Sequence, residues 1–130
     1  MIINGLKITS LLLILPALYA WSNNIIQYGY AFYFLSLTSY IYHNESLVFE
    51  NTKKVDFWID QIALWNVILI GTYYHYTYCQ NKILKIIIPI LCFSCLVIYI
   101  INYKIYDSRL HMLIHIITII DHIIIMNSIK

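Results

Sequence analysis

The segment Arg109-Leu110-His111-Met112-Leu113-Ile114-His115 begins the last apolar run of the chain and carries two histidines four residues apart. On a helix that spacing puts both side chains on one face, about one turn or roughly 6 Å apart. Two imidazoles so placed can share a metal ion, each donating a ring nitrogen at about 2.0–2.1 Å. The same pair serves equally well as two polar groups facing neighbouring helices. A third histidine, His43, with Ser39 and Asp60 beside it, favours the metal.

These residues sit in a chain of 130 residues that is 62% hydrophobic and only 11% charged. Soluble domains average about 45–50% apolar and about 25% charged, and a soluble protein of this size has no room to hide so much apolar surface. The whole chain therefore reads as one membrane-embedded domain, residues 1–130, with the lipid bilayer as its solvent. A formal charge of +2 without a basic cluster excludes a nucleic-acid partner. Cys79, Cys92 and Cys95 lie in or beside apolar runs and form no disulfide framework.

The hydropathy pattern predicts an all-α, multi-pass transmembrane helical bundle of about five spans: Leu6–Trp21, Ile25–His43, Phe57–Tyr78, Ile83–Ile101 and Leu110–Asn127. The first is short and carries Pro16. With Lys7 followed by the apolar run Leu11–Leu15, it can be read as a secretory signal peptide, but Ala20 makes a poor cleavage site and a retained helix is preferred. Tyr and Trp crowd the span ends as an interfacial belt, among them Trp21, Tyr28, Trp58, Tyr73, Tyr76, Tyr103 and Tyr106. Basic residues divide five (Lys7, Lys53, Lys54, Lys104, Arg109) to three (Lys82, Lys85, Lys130), which favours a cytoplasmic N-terminus. Which membrane is involved is not encoded.

Five alternating spans bring the reactive groups into one layer. His43 ends the second span, Asp60 begins the third, and His111 and His115 begin the fifth. Ionisable groups in a bilayer are costly unless they pair, meet water or bind metal, and one shared ion accounts for all of them. Three neutral imidazoles plus a water form the ligand set of a catalytic zinc site, in which the metal lowers the water's pKa to about 7. Asp60 then serves as general base, and Ser39 either holds the water or stabilises an oxyanion. That chemistry is hydrolysis of an amide or ester of a membrane lipid.

Three motifs in order, Ser39-Tyr40-Ile41-Tyr42-His43, Ile59-Asp60-Gln61-Ile62-Ala63-Leu64 and His111–His115, resemble the CREST superfamily, which includes alkaline ceramidases and the progestin/adipoQ receptors. The His43-to-Asp60 spacing, with Ser46 between, is similar to the adipoQ-receptor branch, and Asp60–Trp65 is similar to the ceramidase helix. The resemblance implies zinc held by His43, His111 and His115, with Asp60 and Ser39 around its water, in a hydrolase of lipid amides such as ceramides. It covers about Tyr33–Ala63 and Arg109–Ile120. The family usually has seven spans. Losing two between Asp60 and the histidine pair preserves the layer, and homo-oligomerisation would be one way to supply missing helices. The alternative is a non-catalytic, receptor-like or structural membrane protein with a degenerate metal site. A channel is disfavoured because the charges cluster at one depth.

Other polar residues receive plainer readings. Asp121 and His122 lie deeper in the fifth span and are expected to pair with polar groups of other helices. His75 reads as interfacial. Cys92-Phe93-Ser94-Cys95 reads as small packing residues rather than a redox or metal pair. Asp56, beside Lys53 and Lys54, reads as solvated, and Glu45 and Glu50 as loop charges.

Overall fold

The computed structural model describes residues 2–44, 53–105 and 107–129, with side chains described from Gly5 in the first stretch and from Lys54 in the second. Glu45, Ser46, Glu50 and Tyr106 lie outside the described residues.

The described residues form helices throughout: α1 (Ile2–Leu12), α2 (Ile14–Ser22), α3 (Ile26–His43), α4 (Lys53–Tyr78), α5 (Leu84–Ile105) and α6 (Ser108–Ser128). The first two make one apolar segment, broken at Leu13. Pro16 has no N–H to return to Leu12, and the turn tightens there, with Leu13 N–H donating to the Ser10 carbonyl at 3.3 Å. The second segment ends in a Schellman motif. Asn24 takes the left-handed conformation at φ 61°, Ile25 N–H reaches the Ala20 carbonyl at 2.9 Å and Asn24 N–H reaches that of Trp21 at 3.1 Å.

Four helical segments are long and apolar enough to cross a membrane: Gly5–Ser22, Lys54–Tyr78, Leu84–Ile105 and Ser108–Ser128. The expected second span, α3, is present as a helix of 18 residues rich in Tyr, Ser and Thr but is not among these four, so among the described residues four candidate spans stand where five were expected. This helix packs against α1, α2 and α4, while α6 packs against α1, α2, α4 and α5. The first rod, α3, α4 and α6 thus form a four-helix core with α3 and α6 diagonally opposed. End-to-start contacts run Thr38–Asp60 between α3 and α4 and Asn102–His111 between α5 and α6, while Thr9–His115 joins the early turns of α1 and α6, as alternating helix directions require. Only Ile88 of α5 is buried, so α5 lies on the outside of α6.

The core mixes an apolar cluster around Tyr28, Phe32, Val67 and Met126 with buried polar side chains, and the outside is apolar. Every third or fourth residue of α4 points inward: Asp60, Ala63, Val67, Gly71 and His75. The opposite positions Ile62 and Leu69 are 64% and 66% exposed. Small and polar inward faces let helix backbones approach closely. Gly71 shows this directly, since a Cβ there would lie 2.6 Å from His122 Cε1. His75, expected at an interface, is on this inward stripe and is buried. Tyr28, assigned to the aromatic belt, is wholly buried at the centre of the bundle, whereas Trp58, Tyr73, Tyr76 and Tyr103 are exposed. The helices also run further than hydropathy indicated. Beyond Ile101, α5 continues to Ile105, and Asp107 caps α6 by accepting from Arg109 N–H at 2.8 Å.

Candidate metal centre

Two helix ends deliver three imidazoles to one point. The Asp107 cap starts α6 so that His111 is its first residue bonded back, N–H to the Asp107 carbonyl at 3.2 Å, and His115 follows one turn later. His43 arrives from the last turn of α3. Ring centroids are 4.7 Å apart for His43–His111, 4.9 Å for His111–His115 and 5.7 Å for His43–His115. One nitrogen from each ring lies within 4.8 Å of the others, so the trio could hold a metal ion. This is looser than the roughly 4 Å expected of preformed ligands. At the full 4.8 Å an ion at the centroid would lie about 2.8 Å from each nitrogen, so the rings must close by roughly 0.7 Å to reach about 2.1 Å.

The surroundings fit a metal. His43 Nε2 is buried and has no hydrogen-bond partner among the described residues. A buried imidazole nitrogen without a partner costs about 1–3 kcal/mol, which an ion would recover. His115 has an outer contact of the kind that fixes ring orientation in metal ligands, with Thr9 Oγ1 2.9 Å from its Nδ1. Asn102 Nδ2 lies 3.4 Å from His111 Nδ1; an amide N–H only donates, so in this orientation Nδ1 accepts.

Asp60 and Ser39 are buried and line one narrow pocket with His111, His115, Gln61 and Tyr99, walled by Leu13, Leu35, Leu64 and Ile114. Its space of about 30 Å³ suits water-sized occupants. Thr38 Oγ1 donates to Asp60 Oδ1 at 3.2 Å, fixing one carboxylate oxygen. Ser39 Oγ lies 3.0 Å from Ser10 Oγ. Tyr99 donates to Gln61 Oε1 at 3.1 Å, tying α5 across to α4.

The remaining polar residues stay out of this layer. His122 meets Tyr28, whose hydroxyl is hydrogen-bonded to Nδ1, and packs edge-on against Phe32 at 4.8 Å. Asp121 is buried with Oδ1 unpartnered among the described residues, so the pairing expected of it is not seen at that oxygen. Cys92 and Cys95 are free thiols. Cys95 touches Thr118 at 4.0 Å across the α5–α6 contact. Sequence reasoning missed Thr9, Ser10 and Asn102. The Thr9-Ser10 pair was visible as a polar interruption in an apolar run, but only packing shows which histidine it meets.

No protein-family model, curated protein or solved structure matches this chain. A bundle with four apolar helices and a buried histidine trio is compatible with the CREST resemblance without establishing it.

Proposed function

We propose that the protein is a multi-pass integral membrane protein with a zinc centre held by His43, His111 and His115, and that it hydrolyses an amide or ester of a membrane lipid, as a ceramidase does. The observation that carries this reading is the grouping of His43, whose buried Nε2 has no partner among the described residues, with two further imidazoles, next to a pocket lined by a carboxylate and a hydroxyl. The ordered motifs resembling the CREST superfamily support it.

When bound, zinc would supply an activated water and polarise a carbonyl. The residues of the chain do the rest. Asp60, with one oxygen fixed by Thr38, takes up a proton in the pocket and returns it to the leaving amine or alkoxide. Ser39 has a narrower role than its residue type suggests. Ser10 Oγ donates to the Leu6 carbonyl at 2.8 Å, so its single proton is committed. Ser39 is therefore the donor in the Ser10–Ser39 bond, and its oxygen faces the pocket only as an acceptor. It can hold a water or a substrate N–H; it has no proton for an oxyanion. The exposed apolar surface of the bundle matches a substrate delivered from the bilayer.

Metal analysis of the purified full-length chain tests the centre: about one zinc per chain is expected, and a metal-free wild type sinks the reading. Hydrolysis of ceramide in mixed micelles tests the activity. Asp60→Asn should lose turnover by at least about 100-fold, the scale of a general base, while retaining zinc.

The pocket's small volume favours a second reading, in which the metal serves a receptor-like or structural protein without turnover. Under it, Asp60→Asn changes stability by about 1–2 kcal/mol, the scale of a membrane hydrogen bond, and there is no activity to lose.

A further inference from the structure

We propose that Thr9 is a positioning residue that fixes the tautomer of His115 and so makes its Nε2 a ligand. The proposal rests on reading the histidine trio as a zinc centre. Thr9 Oγ1 lies within hydrogen-bond distance of two groups, the Leu6 carbonyl at 3.1 Å and His115 Nδ1 at 2.9 Å. A hydroxyl has one proton and can accept as well as donate, whereas a carbonyl can only accept. The Leu6 carbonyl also accepts from Ser10 Oγ at 2.8 Å; we assign the Thr9 proton to the same carbonyl, in the back-bonding that helical threonines commonly make to the preceding turn. The Thr9 oxygen then has only acceptor capacity left for His115, and Nδ1 must carry the hydrogen. A neutral imidazole protonated at Nδ1 presents its lone pair at Nε2.

The arrangement is rigid at both ends. Thr9 and His115 are both buried, so water does not compete for either group. The carbonyl belongs to the helix that carries Thr9, which ties the acceptor to the α1 backbone. Gly5 lets α1 come close to α6 one turn earlier, where a Cβ would lie 2.7 Å from Met112 Sδ. Thus α1, which supplies no ligand, decides which nitrogen of His115 is available.

The test reads the tautomer directly, in the full-length chain in detergent micelles with 15N-labelled histidine and the metal removed. The His115 resonances are assigned by their loss in His115→Asn. Nδ1 should be the protonated, pyrrole-type nitrogen in the wild type. In Thr9→Val, which keeps the shape and removes the hydroxyl, that tautomer should lose its dominance, and zinc affinity should fall about 10- to 100-fold, the usual cost of losing an outer contact to a metal-bound histidine. Thr9→Ser should restore both. Protonation of His115 at Nε2 in the metal-free wild type overturns the proposal, as does a Thr9→Val variant that binds zinc within about twofold of wild type. If the wild type binds no zinc, the zinc-centre reading falls, while the tautomer spectrum still decides the role of Thr9. Should Thr9→Val fail to fold, the wild-type spectrum is sufficient.

Discussion

His115 and His122 occupy one helix, seven residues and about 10 Å apart, and both are buried against α3, yet their surroundings are opposite. Around His122 the space is filled. Tyr28 meets Nδ1, Phe32 packs on the ring, and Gly71 of α4 is there because nothing larger fits. Around His115 the partners are two more imidazoles, one of them with a nitrogen unpartnered among the described residues, and a pocket remains open beside them. A buried histidine is therefore not a functional signal by itself. The signal is a polar atom whose natural complement lies outside the chain.

Exchanging the fates of these two ends gives the sharpest tests. The largest effect is expected from His115→Ala, which should lower zinc affinity on the order of 10³-fold, given that three ligands share a binding free energy of about 10–16 kcal/mol. His122→Ala should leave zinc affinity within a few-fold and instead cost about 3 kcal/mol in stability, because it empties a packed site. Equal effects of the two on zinc would erase the contrast. Gly71→Ala should cost about 1–3 kcal/mol by driving a methyl into the His122 ring, with metal content unchanged. Tyr28→Phe, which removes only the hydroxyl facing Nδ1, should cost about 1–2 kcal/mol in denaturant or thermal unfolding in micelles. The smallest effect belongs to Cys92→Ser on the exposed side of α5, within about 0.5 kcal/mol.

The same contrast shows how far residue spacing can be read. His43, Asp60, His111 and His115 were legible as one layer because helix direction alternates from span to span, so residues at matching span ends share a depth. Local spacing also made the i, i+4 relation of His111 and His115 certain once α6 was a helix. Tyr28 was misplaced because an aromatic residue near a span end looks the same whether it faces lipid or the core. His75 was misplaced for a related reason: its inward direction follows from the face shared with Asp60, Ala63, Val67 and Gly71, not from its depth. The helix-end roles of Asp107 and Asn24 were not legible because they depend on backbone geometry a few residues away.

By itself, the sequence determined a helical chain with an apolar exterior, since a bilayer-scale excess of apolar residues leaves backbone groups no partners but their own helix. It also determined the depth of the histidines, because rise per residue is constant along a helix. Rotation about each helix axis, and which helices sit diagonally, were left to tertiary packing. Those two choices decide that Thr9 rather than another hydroxyl meets His115, that Tyr28 satisfies His122, and that His43 meets two further imidazoles. They depend on side-chain fit between segments far apart in the chain, a quantity that no local pattern carries.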